Sequence, residues 1–170
     1  MIRPATTADK SALTALHWAS WQANYRHILP PDFVDGPLGT HIAQIWDDRF
    51  AATPTPPLIL LDDRPEGPAG FVAAFAEPPL LYIDNLHAAP ALRGQGIGPR
   101  LLSALAERAI AMGLTGAYLW VLDGNTPAFR FYDRLGGVQT QHQIESLWGH
   151  PTAETRYDWA DLGAFISKTE

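Results

Sequence analysis

Residues 93–100 read RGQGIGPR, with three glycines in five positions. They stand between an apolar stretch, LLYIDNLHAAP (80–90), and LLSALAERAIAMG (101–113), where Leu101, Leu102, Leu105, Ala109 and Ile110 recur at helical spacing. A strand that passes to a helix through such a loop brings several backbone N–H groups to the positive end of the helix, which is a seat for an anion. The glycines fall at 94, 96 and 98, which does not fit the dinucleotide spacing GxGxxG, and no GK[ST] follows to make a P-loop. A tight strand-to-helix turn with no ligand is the plain alternative.

Upstream, Met1 to Pro4 is a short strand, and Thr6 with Asp9 has the form of a capping box with Asp in place of Glu or Gln. The helix that follows carries Leu13, Leu16 and Ala19 or Ser20 on one face and runs to about Tyr25, ahead of the breaker Pro30-Pro31. His41 to Ala52 reads as a second helix stopped by TPTPP (53–57). LILLDD (58–63) and GFVAAFAE (70–77) read as a hairpin, and LLYIDNLHA (80–88) as the next strand. Downstream, Pro99 fits the first turn of a helix that Gly113 ends. GAYLWVLD (116–123) is a further strand. Thr126-Pro127 opens a short helix with Ala128, Phe131, Tyr132 and Leu135 on one face, closed by Gly136-Gly137. VQTQHQIESLW (138–148) and TAETRYDWADL (152–162) read as two last strands. This order predicts an α/β or α+β architecture with a mixed sheet, in a single domain over 1–170.

The composition narrows the chemistry. With 46% apolar residues the chain supports one substantial core, and the absence of cysteine excludes disulfides, thiolate metal sites and a cysteinyl intermediate. The net charge is −6 and the 12 basic residues are scattered, so no footprint for nucleic acid is expected, and a neutral or cationic partner fits better. MIRPATTADK lacks an apolar signal region and no run approaches the ~18 apolar residues of a membrane helix, so no membrane association and a cytoplasmic location are expected. The six histidines lack close ligand spacing, and no metal is expected. Asp47-Asp48 and Asp62-Asp63 read as solvated charges.

The stretch LHAAPALRGQGIGPRLL (86–102) resembles motif A of the GNAT superfamily of acyl-CoA N-acyltransferases, [RQ]xxGx[GA], with Arg93, Gly96 and Gly98 at its fixed positions. NTPAFRFYDRLGG (125–137) resembles the second signature of that family, N-x-x-A-x-x-F-Y-x-x-x-G-[FG]. The two cover roughly residues 80 to 140, and IRPATTAD upstream is also similar to the family's N-terminal half. The resemblance implies a mixed, mostly antiparallel sheet of six to seven strands, splayed at strands four and five and flanked by about four helices. It also implies transfer of an acetyl group from acetyl-CoA, as co-substrate, to a primary amine of a small molecule or peptide by direct attack in a ternary complex.

Carried over by position, the backbone of Leu86, His87 and Ala88 would hold the pantetheine arm. The loop Gly94, Gln95, Gly96, Ile97, Gly98 and Pro99, with charge from Arg93, would receive the pyrophosphate. Pro99 is a departure, because it removes an N–H at the start of the helix; Arg100 reads as a solvated surface arginine. Tyr132 lies at the general-acid position, where a phenol of unperturbed pKa ~10 matches a thiol leaving group. Asn125 would orient the cofactor or a water, or cap the helix, a role Thr126 also fits. The two positions where relatives carry a basic glutamate hold Tyr82 and Trp120 here. Asp84, on the same strand parity as Tyr82, is the candidate base. Trp21 and Tyr25 are the candidate acceptor contacts, with His27, Trp148, Tyr157 and Trp159 completing an aromatic wall. A non-catalytic acyl-CoA-binding module, a transferase for a bulkier acyl-CoA and a nucleotide-binding domain stay open as rival readings. A homodimer is compatible with the resemblance, though nothing in the sequence marks an interface.

Overall fold

The structure is a computed structural model and describes residues 1–52, 56–163 and 166. Its strands are β1 (Ile2–Pro4), β2 (Leu58–Arg64), β3 (Gly67–Glu77), β4 (Leu80–Ala88), β5 (Gly116–Leu122), β6 (Val138–Leu147) and β7 (His150–Trp159). They form one seven-stranded sheet in the order β1-β2-β3-β4-β5-β7-β6. Every neighbouring pair is antiparallel except β4 and β5. One face packs on α1 (Lys10–Tyr25), α2 (Pro31–Asp35) and α3 (Pro37–Ala51), the other on α4 (Ile97–Ala111) and α5 (Thr126–Arg134).

The central strand β3 shows why GFVAAFAE lacks a polar alternation. Phe71 and Ala73 pack with Leu13, Ile42 and Trp46 on one side, and Val72 and Ala74 pack with Leu101 and Leu105 on the other. A strand covered on both faces has no solvent side to mark with polar residues.

Of the two prolines read as a breaker, Pro30-Pro31, the second acts instead as a starter. Pro31 takes the first turn of α2, whose Phe33 and Val34 are buried, and Pro37 does the same for α3, four residues before His41. The missing N–H of a proline costs nothing at that position. This makes five α-helices among the described residues where about four were expected. Thr6 and Asp9 do cap, with the Thr6 N–H donating to Asp9 Oδ2 at 2.8 Å, but the turn they close is a short 3-10 turn leading into α1. Part of TPTPP, residues 53–55, lies outside the described residues.

One irregularity shapes the middle of the sheet. The β3–β4 ladder runs from Gly70↔Ala88 to Ala73↔Asn85 and resumes at Ala74↔Ile83, which leaves Asp84 as an extra residue in a bulge. Ile83 therefore packs toward α4, while Asp84 and Asn85 both lie on the α1–α3 face, beside His87. The parallel ladder between β4 and β5 holds only Leu80↔Gly116, Leu81↔Ala117 and Tyr82↔Tyr118. A bulge bends its strand and increases its twist. The splay of β4 from β5 begins next to the extra residue.

Candidate active site

The wedge between the diverging strands is a cleft of about 670 Å³, reached by residues of β4, β5, α1, α5 and the 93–99 loop. At its base the glycine loop is shaped by two different constraints. Gly96 is the N-cap of α4 with φ of 69°, a left-handed conformation that side chains rarely tolerate. A Cβ on Gly98 would lie 3.1 Å from Phe131 Cζ, so glycine there lets α5 approach α4. The first helical bond of α4 runs from the Arg100 N–H to Gly96 O at 3.3 Å, so the preceding N–H groups face the cleft unpaired within the helix, and Pro99 has none to offer.

Charge at the loop is divided. Arg93 is exposed, lines the cleft and has no ion-pair partner among the described residues. Arg100, read as solvated, is instead bound to Asp62 Oδ2 at 2.5 Å and to the Gln95 carbonyl at 3.2 Å. Asp62, also read as solvated, is only 4% exposed and takes Arg64 at 3.3 Å as well. Burial raises its carboxyl, but Arg100 and Arg64 outweigh that and hold it below its ordinary value. These two residues lock the loop to β2.

Tyr132 projects from α5 into the cleft and is 8% exposed, with Phe131, Tyr157 and Trp159 around its ring. Burial, with a smaller contribution from Tyr25, pushes its phenol well above the usual value, so the proton stays on. Asn125, rather than Thr126, caps α5: its Oδ1 accepts from the Ala128 N–H at 3.3 Å and its Nδ2 donates to Tyr25 Oη at 3.2 Å. That second bond ties the end of α1 to the start of α5. Tyr25, pushed up to about 12 by burial, lines the cleft together with Trp21.

The aromatic wall is smaller than expected. Tyr157 and Trp159 lie on the other face of the sheet, under α5, where the Tyr157 hydroxyl donates to Asp133 and the Trp159 indole to the Leu135 carbonyl. Strand alternation puts these odd positions of β7 opposite its even ones. His27 is exposed, its Nε2 3.1 Å from the Gly124 carbonyl oxygen. Trp148 packs behind Trp21, with ring centroids 5.5 Å apart, and stacks on His41.

Asp84 forms an ion pair with Arg49 of α3 and accepts from the Tyr82 hydroxyl at 3.0 Å. Beside it α1 and β4 enclose three polar side chains whose contact the sequence did not show. Asn24 donates to Ser20 Oγ at 3.1 Å, and Ser20 Oγ lies 2.9 Å from His87 Nδ1. Burial holds His87 neutral, down to about 3, with Arg49 and Arg93 adding to the effect; His17, 4.8 Å away between ring centroids, is depressed by the same burial. Ser20 was read only as a position on the helical face of Leu13 and Leu16, and Asn24, one turn further on, was not singled out. Glu154 of β7 was also missed; it lines the cleft, and burial pushes its carboxyl above the ordinary value, with Glu145 and Asp123 adding to that. Alternation along TAETRYDW places it on the face away from Tyr157, but only the β5–β7 register sets it opposite Leu122.

A family model described as the acetyltransferase (GNAT) family matches residues 12–137. Over nearly the whole chain, 96%, the sequence is 25% identical to the N-acetyltransferase YuaI of Bacillus subtilis and covers 94% of that protein. A 56-residue segment is 38% identical to thialysine N-epsilon-acetyltransferase of Bos taurus, spanning a third of each protein. Among solved structures, the PaiA N-acetyltransferase of Thermoplasma acidophilum in complex with coenzyme A superposes with a TM-score of 0.70 at 17% identity, covering 94% of this chain and 98% of that one.

Proposed function

The chain belongs to the GNAT acetyltransferase family and is an acyl-CoA-dependent acetyltransferase, and from that premise we propose that it moves an acetyl group from acetyl-CoA to a primary amine of a small molecule or peptide. The observation that carries this reading is the cleft where β4 and β5 part, with a left-handed glycine turn at one end and a buried, protonated tyrosine along its wall.

The residues present suit the co-substrate. Past Tyr82 the edge of β4 that faces β5 has no ladder partner, so the backbone of Leu86, His87 and Ala88 is available to the amides of a pantetheine arm. The N–H groups at the start of α4, the left-handed Gly94 and Gly96, and the uncompensated Arg93 suit a pyrophosphate. Asn125 supports the site by holding α5 against α1.

Acyl transfer then needs three events. The amine loses a proton, its lone pair attacks the thioester carbon as the C–N bond forms, and the C–S bond breaks with the sulfur taking a proton. Tyr132 supplies that last proton. Its raised pKa does not spoil the match, because the departing thiolate is stripped of water in the same cleft and becomes more basic too.

The test is acetyl-CoA-dependent thiol release with a panel of alkylamines, polyamines, amino acids, aminoglycosides and lysine peptides, read with a thiol reagent. A chain without cysteine contributes no background. Release that requires one amine class supports the transferase. If acetyl-CoA raises the melting temperature while no amine releases thiol, the reading gives way to a module that binds acyl-CoA without turnover.

A further inference from the structure

An alkylamine of unperturbed pKa ~10.4 reaches the cleft as ammonium, so something must take a proton from it. Asp84 is poorly placed to do so. Arg49 and Tyr82 engage its carboxylate, and Arg49 is itself 8% exposed with Nη1 already lacking a partner. A proton on Asp84 would strand that buried guanidinium further.

A second carboxylate lines the same cleft from β7. Glu154 stands in register with Leu122, one alternation along from the Arg156↔Trp120 pair, and its field reaches Tyr82 on the opposite wall. Gln143 of β6 donates to Oε1 at 2.7 Å, while Oε2 has no donor among the described residues. Nor does it share a cation among the described residues. Arg49 is held by Asp84, and Arg156 by Asp158 at 2.7 Å, where it also lies over the Tyr118 ring. The acidic neighbours are Glu145 of β6 and Asp123 after β5, the latter 2.7 Å from His142. Among the described residues, Gln143, Glu145 and Asp123 act on the Glu154 carboxyl, Tyr82 feels its charge, and Arg156 is the next residue on its face of β7.

We propose that Glu154 is the general base of the transfer and that the acceptor docks against it as an alkylammonium ion. This rests on the transferase reading above. The ammonium gives one proton to Glu154 Oε2, which later passes it to solvent, and the freed nitrogen attacks the thioester. Collapse expels the thiolate, which takes the Tyr132 proton; the second proton on the new amide nitrogen then restores the Tyr132 phenol. The sum is amide, free thiol and one released proton. Because this wall holds an unshared carboxylate and its cations are already paired, it fits an amine with no carboxylate of its own nearby.

The experiment compares the full chain with Glu154→Gln on two acceptors, the best alkylamine of the panel and an alkoxyamine that is already neutral at pH 7. Glu154→Gln keeps the Gln143 contact possible and the volume constant. With the alkylamine, kcat/KM at pH 7 should fall ~10²-fold and recover as pH nears the amine's own pKa. With the alkoxyamine it should change less than ~3-fold, since there is no proton to remove before attack. Acetyl-CoA affinity, followed by tryptophan quenching, should be unaltered. Equal losses on both acceptors, or no loss with the alkylamine, would overturn the assignment while leaving the transferase intact. A wild-type chain that binds acetyl-CoA but shows no thiol release with any amine of the panel overturns the transferase and this base together.

Discussion

On the side of the cleft under α4 and α5, most of what faces a ligand is backbone: the bare edge of β4, the free N–H groups before α4, and the left-handed turns at Gly94 and Gly96. On the side under α1 and along β7 the work falls to side chains, namely Ser20, Asn24, Asp84, His87 and Glu154, each hydrogen-bonded to a neighbour. A backbone site recognises what every substrate of the family has in common and tolerates change in surrounding side chains. A side-chain site discriminates, but any one of its residues alters what fits. Under the proposed reading the first half would hold the cofactor and the second would choose the acceptor, and each can be perturbed without the other.

The strongest separation is expected from Gly96→Val. A β-branched residue cannot hold a φ of 69° without strain, so the N–H groups before α4 turn away from the phosphates. Coenzyme A affinity by calorimetry should fall by ~10²-fold or more, while the fold survives, since no atom lies closer than 3.9 Å to the added Cβ. Unchanged affinity would remove the loop from the cofactor site.

Tyr132→Phe should lower kcat by ~10²-fold with acetyl-CoA affinity nearly constant, because the ring still packs against Phe131 and Trp159 and only the acid is lost. Steady-state kinetics beside a binding titration check it. Equal rates would place the acid elsewhere.

The acceptor side should betray itself in acid. Burial keeps His17 and His87 neutral, so their folded pKa values lie below the unfolded ~6.5 and the unfolded chain takes up protons first as pH falls. Their contribution is fully present above ~6.5 and declines from there down toward the His87 value of about 3. Each ring adds a slope of up to about 1.4 kcal/mol per pH unit. Urea denaturation of wild type and His17→Leu at pH 7.5 and 5 should show a shallower pH dependence in the variant, and equal slopes would refute the role of burial.

The smallest expected effect is a gain. Pro99→Ala supplies an N–H to the first turn of α4, and one further hydrogen bond to a phosphate should tighten coenzyme A binding by ~5-fold. A weaker complex would mean that the rigidity of Pro99 matters more than the donor.

These contrasts also explain what could be read before the structure. The glycine turn before α4 was legible because its requirements are local: positive φ, an absent Cβ and a helix start all leave glycines at fixed spacing. The element order was legible for the same reason, apart from α2, where Pro31 was read as part of a breaker and proves to be a starter. Glu154 and the Ser20–His87 contact were not, because each is made by residues of distant elements. Their meeting depends on the β5–β7 register and the packing of α1 on β4. Parity placed Asp84 correctly on the face of Tyr82. It could not show that Asn85 lies on that face too, because the bulge breaks the alternation between them.

In a crystal the bulge at Asp84 would be called a dislocation: one extra unit in one row, with order restored on either side. Remove it, and Ile83 followed directly by Asn85 continues the alternation, with Leu86 and His87 still on their present faces and the Ala73↔Asn85 and Ala74↔Ile83 pairs now adjacent. Nothing would then oblige β4 to turn from β5 after Tyr82. A chain lacking Asp84 would keep the register of its core and lose the surplus residue that sits where the β4–β5 ladder ends.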